Sequence, residues 1–146
     1  MIDPVVDPVA ADPSRPEAGE WVEGDVAGRK AIVFDPVAGG PVFAMFCDTR
    51  DGLVLERRRL LPSGPHRMME IAFGDARESL ATNEVSNNGP VLRAQLPFNS
   101  ELFTRLRDFE GAISITVGRS QPLVLPADPL IPELVRKCIT GATAGA

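Results

Sequence analysis

A chain of 146 residues has room for one domain with a buried core, and its 44% hydrophobic and 24% charged content is that of an ordinary globular protein. Its net charge of −5 is unevenly placed: residues 1–28 hold seven acids against Arg15 alone, leaving 14 bases against 13 acids in the rest. A body so close to neutral lacks the positive field that a phosphate backbone demands, which argues against nucleic acid as a partner. No run reaches the roughly 20 apolar residues that span a bilayer.

Residues 1–20 read as a disordered, acidic, proline-rich tail or linker. Asp-Pro recurs at 3–4, 7–8 and 12–13, and each proline removes an amide donor and turns the preceding residue away from helix. Met1-Ile2-Asp3-Pro4 has neither the basic nor the apolar region of a signal peptide. The folded domain is expected over 21–140, with 141–146 a flexible tail of small residues. Fourteen prolines and 13 glycines favour turns and short strands over long helices.

After Trp21, Lys30–Phe34 is the first expected strand. Val42–Cys47 and Leu53–Arg58 flank Asp51-Gly52, which suits a tight hairpin. Met68–Phe73 alternates, with Met69, Ile71 and Phe73 on one face, and Arg77–Thr82 pairs back on it. Asn87-Asn88-Gly89-Pro90 turns into Val91–Leu96. In Ala112–Val117, Ile113, Ile115 and Val117 face inward while Ser114 and Thr116 face outward; Leu123–Leu125 is short and proline-bounded. Asn99-Ser100 caps a helix with Leu102, Phe103, Leu106 and Phe109 on one stripe. Asp128-Pro129 and Pro132 open a second helix running to about Ile139, with Leu134, Val135 and Cys138 as its apolar face. The expected fold is mainly β: a β-sandwich or open barrel of seven or eight short strands with two short helices, one of them C-terminal.

Few residues carry chemistry. Cys47 shares a strand face with Phe43 and Met45, and Cys138 lies on the apolar side of the last helix. Both point at the core, which fits either a disulfide pinning helix to sheet or two separate buried thiols. Two distant cysteines and one histidine make no zinc site, and nothing in the chain asks for a cofactor. The sole histidine, His66, falls in the loop Pro62-Ser63-Gly64-Pro65-His66, and no Gly-x-Ser-x-Gly elbow accompanies it. Arg57-Arg58-Arg59 is the only basic run. Together with His66 it is the candidate contact for a partner, and its plainer reading is the solvated end of a strand, an edge guarded against aggregation. The acids sit in turns and helix starts, where capping explains them, although carboxylates gathered from loops could still form a hydrolase site.

Trp21, Ala31-Ile32-Val33-Phe34, Pro41–Cys47-Asp48, Leu96-Pro97 before a helix, and Leu123–Pro126 followed by Pro132–Cys138 give the chain a layout. That layout resembles small uncharacterised exported proteins of alphaproteobacteria, often lipoproteins. The resemblance implies an envelope location and a paired Cys47–Cys138, and no active site. The resulting expectation is a non-catalytic, periplasmic or envelope-associated binding or accessory module whose partner is a protein. One concrete form is an inhibitor of an envelope-attacking enzyme, contacting it through Leu61–His66 and Thr82–Pro90. The N-terminal tail would serve as a tether to the membrane. The alternatives are a hydrolase of unrecognised type and a cytosolic interaction domain working through Arg57–Arg59.

Overall fold

The computed structural model describes residues 16–26, 28–36, 41–48, 50, 52–58, 68–86, 90–118 and 122–144. In chain order these form β1 (Gly19–Val26), β2 (Arg29–Pro36), β3 (Phe43–Asp48), β4 (Gly52–Arg58), β5 (Met68–Phe73), β6 (Ala76–Ala81), β7 (Asn83–Ser86) and β8 (Pro90–Leu96). Helix α1 (Glu101–Leu106), β9 (Ile113–Val117), β10 (Leu123–Leu125) and helix α2 (Leu130–Ala144) follow. Every strand pairing is antiparallel. One sheet has six strands in the order β1-β2-β3-β4-β8-β7, and the other has four in the order β10-β9-β5-β6. Both sheets are open, so the molecule is a mainly β sandwich and not a closed barrel.

The two sheets have different sequence textures. β5 and β9 alternate, with Met69, Ile71, Phe73, Ile113, Ile115 and Val117 buried and the residues between them half-exposed. This is the pattern of a sheet with one dry face and one wet face. In β2, β3 and β4 the buried runs are continuous, over Ala31–Phe34, Phe43–Phe46 and Gly52–Glu56, so these central strands are covered on both faces.

The inner faces of both sheets meet in one core. Trp21 stands edge-on to Phe34 and Phe43, with ring centroids 5.6 and 6.2 Å away. Its indole Nε1 donates to the Pro126 carbonyl at 3.0 Å, which fastens β1 to the chain leaving β10. At the β3–β4 turn Gly52 has φ 112°, and a Cβ there would meet the Leu96 carbonyl oxygen at 2.3 Å. Only glycine lets β4 lie this close to β8.

Both helices close the core as their sequences require. Ser100 Oγ accepts from the Leu102 amide at 3.1 Å and donates to Glu78 at 2.6 Å, and α1 buries Leu102, Phe103 and Leu106. Asp128 accepts from the Leu130 amide at 2.8 Å at the start of α2, whose Ile131, Val135 and Cys138 are buried. The helix continues to Ala144, five residues past the expected end, because the small residues there do not interrupt its backbone.

Two strands exceed the expected count. β1 takes in Gly19 and Glu20 from the expected tail, its charged and glycine positions having masked the strand pattern around Trp21. β7 occupies part of the expected Thr82–Pro90 contact loop, pairing with β8. β4 lies between β3 and β8, so the strand ending in Arg57 and Arg58 is central and not an edge.

Glu56 is 1% exposed on the outer face of β4, where Arg93 and Arg58 both bond its carboxylate. Removing the carboxylate strands both guanidiniums. Glu56→Ala is therefore expected to lower stability in urea unfolding by about 3 kcal/mol. A loss within experimental scatter would mean that the pair only offsets its own desolvation.

Candidate functional site

The inner face of β1 changes character along its length. Trp21 is buried, but the next two residues on its face are Glu23 and Asp25, both exposed. Opposite them in β2 stand Ile32 and Lys30. Helix α2 packs over β2, β3 and β4, and presents Leu130, Glu133, Leu134 and Lys137 one turn apart toward this end of the hairpin. Between hairpin and helix lies a cleft of about 320 Å³ with Ile32, Leu130 and Leu134 as an apolar floor. Glu23, Asp25, Lys30, Glu133 and Lys137 form its charged rim, which thus includes both lysines of the chain.

None of these five rim groups makes an ion pair within 4.0 Å among the described residues. They stay hydrated and available to another molecule. Three carboxylates and two ammonium groups around an apolar floor suit a segment that carries both charges and apolar side chains. The carboxylates do not converge into a group that could hold a metal ion.

The wall formed by α2 is covalently fixed. Cys47 and Cys138 are joined by a disulfide with Cα atoms 5.4 Å apart, linking the end of β3 to the middle of the helix across 91 residues of chain. This resolves the two readings of the cysteines in favour of the bond.

The candidate partner contacts are dispersed. Arg57 points to the inner face at the end of β4, where it donates to the Val42 and Arg58 carbonyls. Burial pulls its guanidinium pKa below the ordinary value, and the Glu17 charge pushes it back up. Arg58 points to the outer face and bonds Glu56 at 3.1 Å. Arg59 and His66 lie outside the described residues. Arg57 and Arg58 therefore contribute to opposite faces and form no continuous basic patch. The cleft residues were not singled out from sequence. The signals for them were the two-residue spacing Trp21, Glu23, Asp25 and the four-residue spacings Leu130/Leu134 and Glu133/Lys137.

No protein-family model, curated protein or solved structure matches this chain.

Closing a loop of this length restrains the unfolded chain by about 4 kcal/mol in the chain-entropy model. The paired Cys47→Ser/Cys138→Ser variant should fold but unfold at clearly lower urea concentration, with α2 losing amide protection first. Equal protection of α2 in the two proteins would show that Ile131 and Val135 hold the helix without the bond.

Proposed function

We propose that this protein is a non-catalytic, extracytoplasmic binding or accessory module of the bacterial envelope that takes a segment of a partner protein into the cleft between β1 and α2. The observation that carries the reading is the cleft itself: a charged rim without ion pairs among the described residues, over an apolar floor, with one wall held in place by Cys47–Cys138. Fixing the wall keeps the site preformed and lowers the ordering cost of binding. The disulfide also supports an oxidising compartment. Among the described residues, no helix is long and apolar enough to cross a membrane. Inhibition of an envelope-attacking enzyme is one form this function takes, with the enzyme's own loop as the bound segment.

A second reading rests on one specific feature. Glu23, Asp25 and Glu133 line a single cleft, as a hydrolase using gathered carboxylates would require. A hydrolytic turnover abolished by Glu133→Gln with the fold intact would establish that reading in place of the first.

The binding reading is tested with peptides selected from a random phage-displayed library. Selected peptides should shift the amide signals of Glu23, Asp25, Lys30, Glu133 and Lys137, and the double charge reversal Lys30→Glu/Lys137→Glu should weaken them at least about tenfold, or 1.4 kcal/mol. Peptides that shift signals elsewhere, or bind the reversed protein equally well, would sink the assignment. For the compartment, protein isolated from its host and denatured should be alkylated at Cys47 and Cys138 only after reduction. Thiols reactive without reductant would instead place it in the cytosol.

A further inference from the structure

The six-stranded sheet ends in β1, which pairs with β2 alone. At eight residues it is longer than the other edge strands, β6 with six, β7 with four and β10 with three. The edge of β10 is also met by the Glu17 amide, which donates to the Val124 carbonyl at 2.7 Å. Backbone alternation shows which groups of β1 are spare. The Arg58 amide donates to the Val42 carbonyl, so Val42 faces β4 and the next residue, Phe43, faces β2. Phe43 stands opposite Phe34, and Val33 stands opposite Val22. Phe34 therefore turns to β3 and Val33 to β1, so that Val22 and Gly24 bond β2. Trp21, Glu23 and Asp25 aim their N–H and C=O groups away from the sheet, and among the described residues nothing bonds these groups there.

The side chains of β1 give this open edge two different faces. On the inner face, Glu23 and Asp25 are exposed acids without ion pairs among the described residues. The two lysines of the cleft stand one strand in and on α2, so the edge itself is acidic. On the outer face, Val22 is 37% exposed and Gly24 carries no side chain, although a Cβ there would touch Val33 Cγ2 at 3.4 Å. Val33 belongs to a second apolar cluster with Val26, Ala31, Ala44, Phe46 and Val54. The Arg29 and Arg93 guanidiniums lie 5.8 and 5.6 Å from the Phe46 ring centroid in that cluster. A strand laid along β1 thus meets carboxylates on one face and apolar surface on the other.

We propose that the β1 edge binds an extended basic segment of a partner protein as an added strand, with Lys or Arg at every second position and apolar residues between. The inference rests on the reading of the cleft as a binding site and specifies how its occupant is held. Main-chain bonds to Glu23 and Asp25 supply affinity, basic side chains opposite them enter the cleft, and apolar ones cover Gly24. The period of two is imposed by the alternation of β1 itself. Charges on an edge guard against indiscriminate pairing, which disfavours a second copy: two β1 edges would set Glu20, Glu23 and Asp25 of one against those of the other.

The probe is the capped hexapeptide Arg-Val-Arg-Val-Arg-Val, added to the full, disulfide-bonded protein. Hydrogen exchange at the Glu23 and Asp25 amides should slow at least about tenfold, while Val22 and Gly24, already bonded to β2, change little. Methylating alternate peptide nitrogens should abolish binding in one register and spare it in the other, because only every second amide faces β1. Glu23→Gln/Asp25→Asn, at two exposed positions, should weaken the peptide at least about tenfold. A peptide that shifts the Glu133 and Lys137 signals but leaves exchange at Glu23 and Asp25 unchanged would overturn the added strand and keep the cleft as a site. Failure of the peptide to bind would also overturn it, while library-selected peptides seated in the cleft would leave the broader reading standing. Protection of Glu23 and Asp25 that rises with protein concentration alone would assign the edge to a second copy and likewise overturn the proposal.

Discussion

The sandwich is held in register by a constraint at its centre, the two-sided burial of β2, β3 and β4. A strand dry on both faces cannot slip by one residue without exchanging one buried surface for another of different shape. Phe43, Met45 and Cys47 fit the inner core, while Ala44 and Phe46 fit the outer cluster. The position of Cys47 opposite α2 depends on that register, and so does the stacking of Arg29 and Arg93 on Phe46. The disulfide secures an arrangement that packing has already specified. Its particular effect is on α2, an element with one apolar face and a charged rim that would otherwise be held by few side chains.

Much of the fold was legible because local and tertiary signals agreed. The alternation in Met68–Phe73 and Ile113–Val117, the Ser100 cap and the Asp128 cap all operate within a few residues and give the same answer in isolation as in the molecule. β1 was not legible for the opposite reason. Its glycines and acids are poor strand formers, and it is a strand because β2 offers a continuous ladder from Gly19 to Val26. β7 is four residues long and exists for the same reason, alongside β8.

The cleft stayed hidden for a related cause. Glu23 and Asp25 become inner-face residues only once β1 is a strand, and Lys137 joins them only once α2 is laid over the hairpin. The two- and four-residue spacings of these side chains do not by themselves report either event. The cysteine pair could be anticipated because each half lay on a recognisable apolar face, whereas the cleft is made of charged residues whose plainest reading is solvated surface. The split of Arg57 and Arg58 between faces follows directly from strand alternation, which a basic run read as a single patch overlooks.

Trp21 has an optical consequence. The chain has no tyrosine and no second tryptophan, so its near-ultraviolet emission comes essentially from one indole. That indole is wedged between Phe34 and Phe43 and tied to the Pro126 carbonyl, at the seam where the two sheets meet. The protein thus contains its own fluorophore at a single mechanical joint. The colour of its emission reports whether β1 remains docked, and is largely blind to events at the distant β5–β6 hairpin.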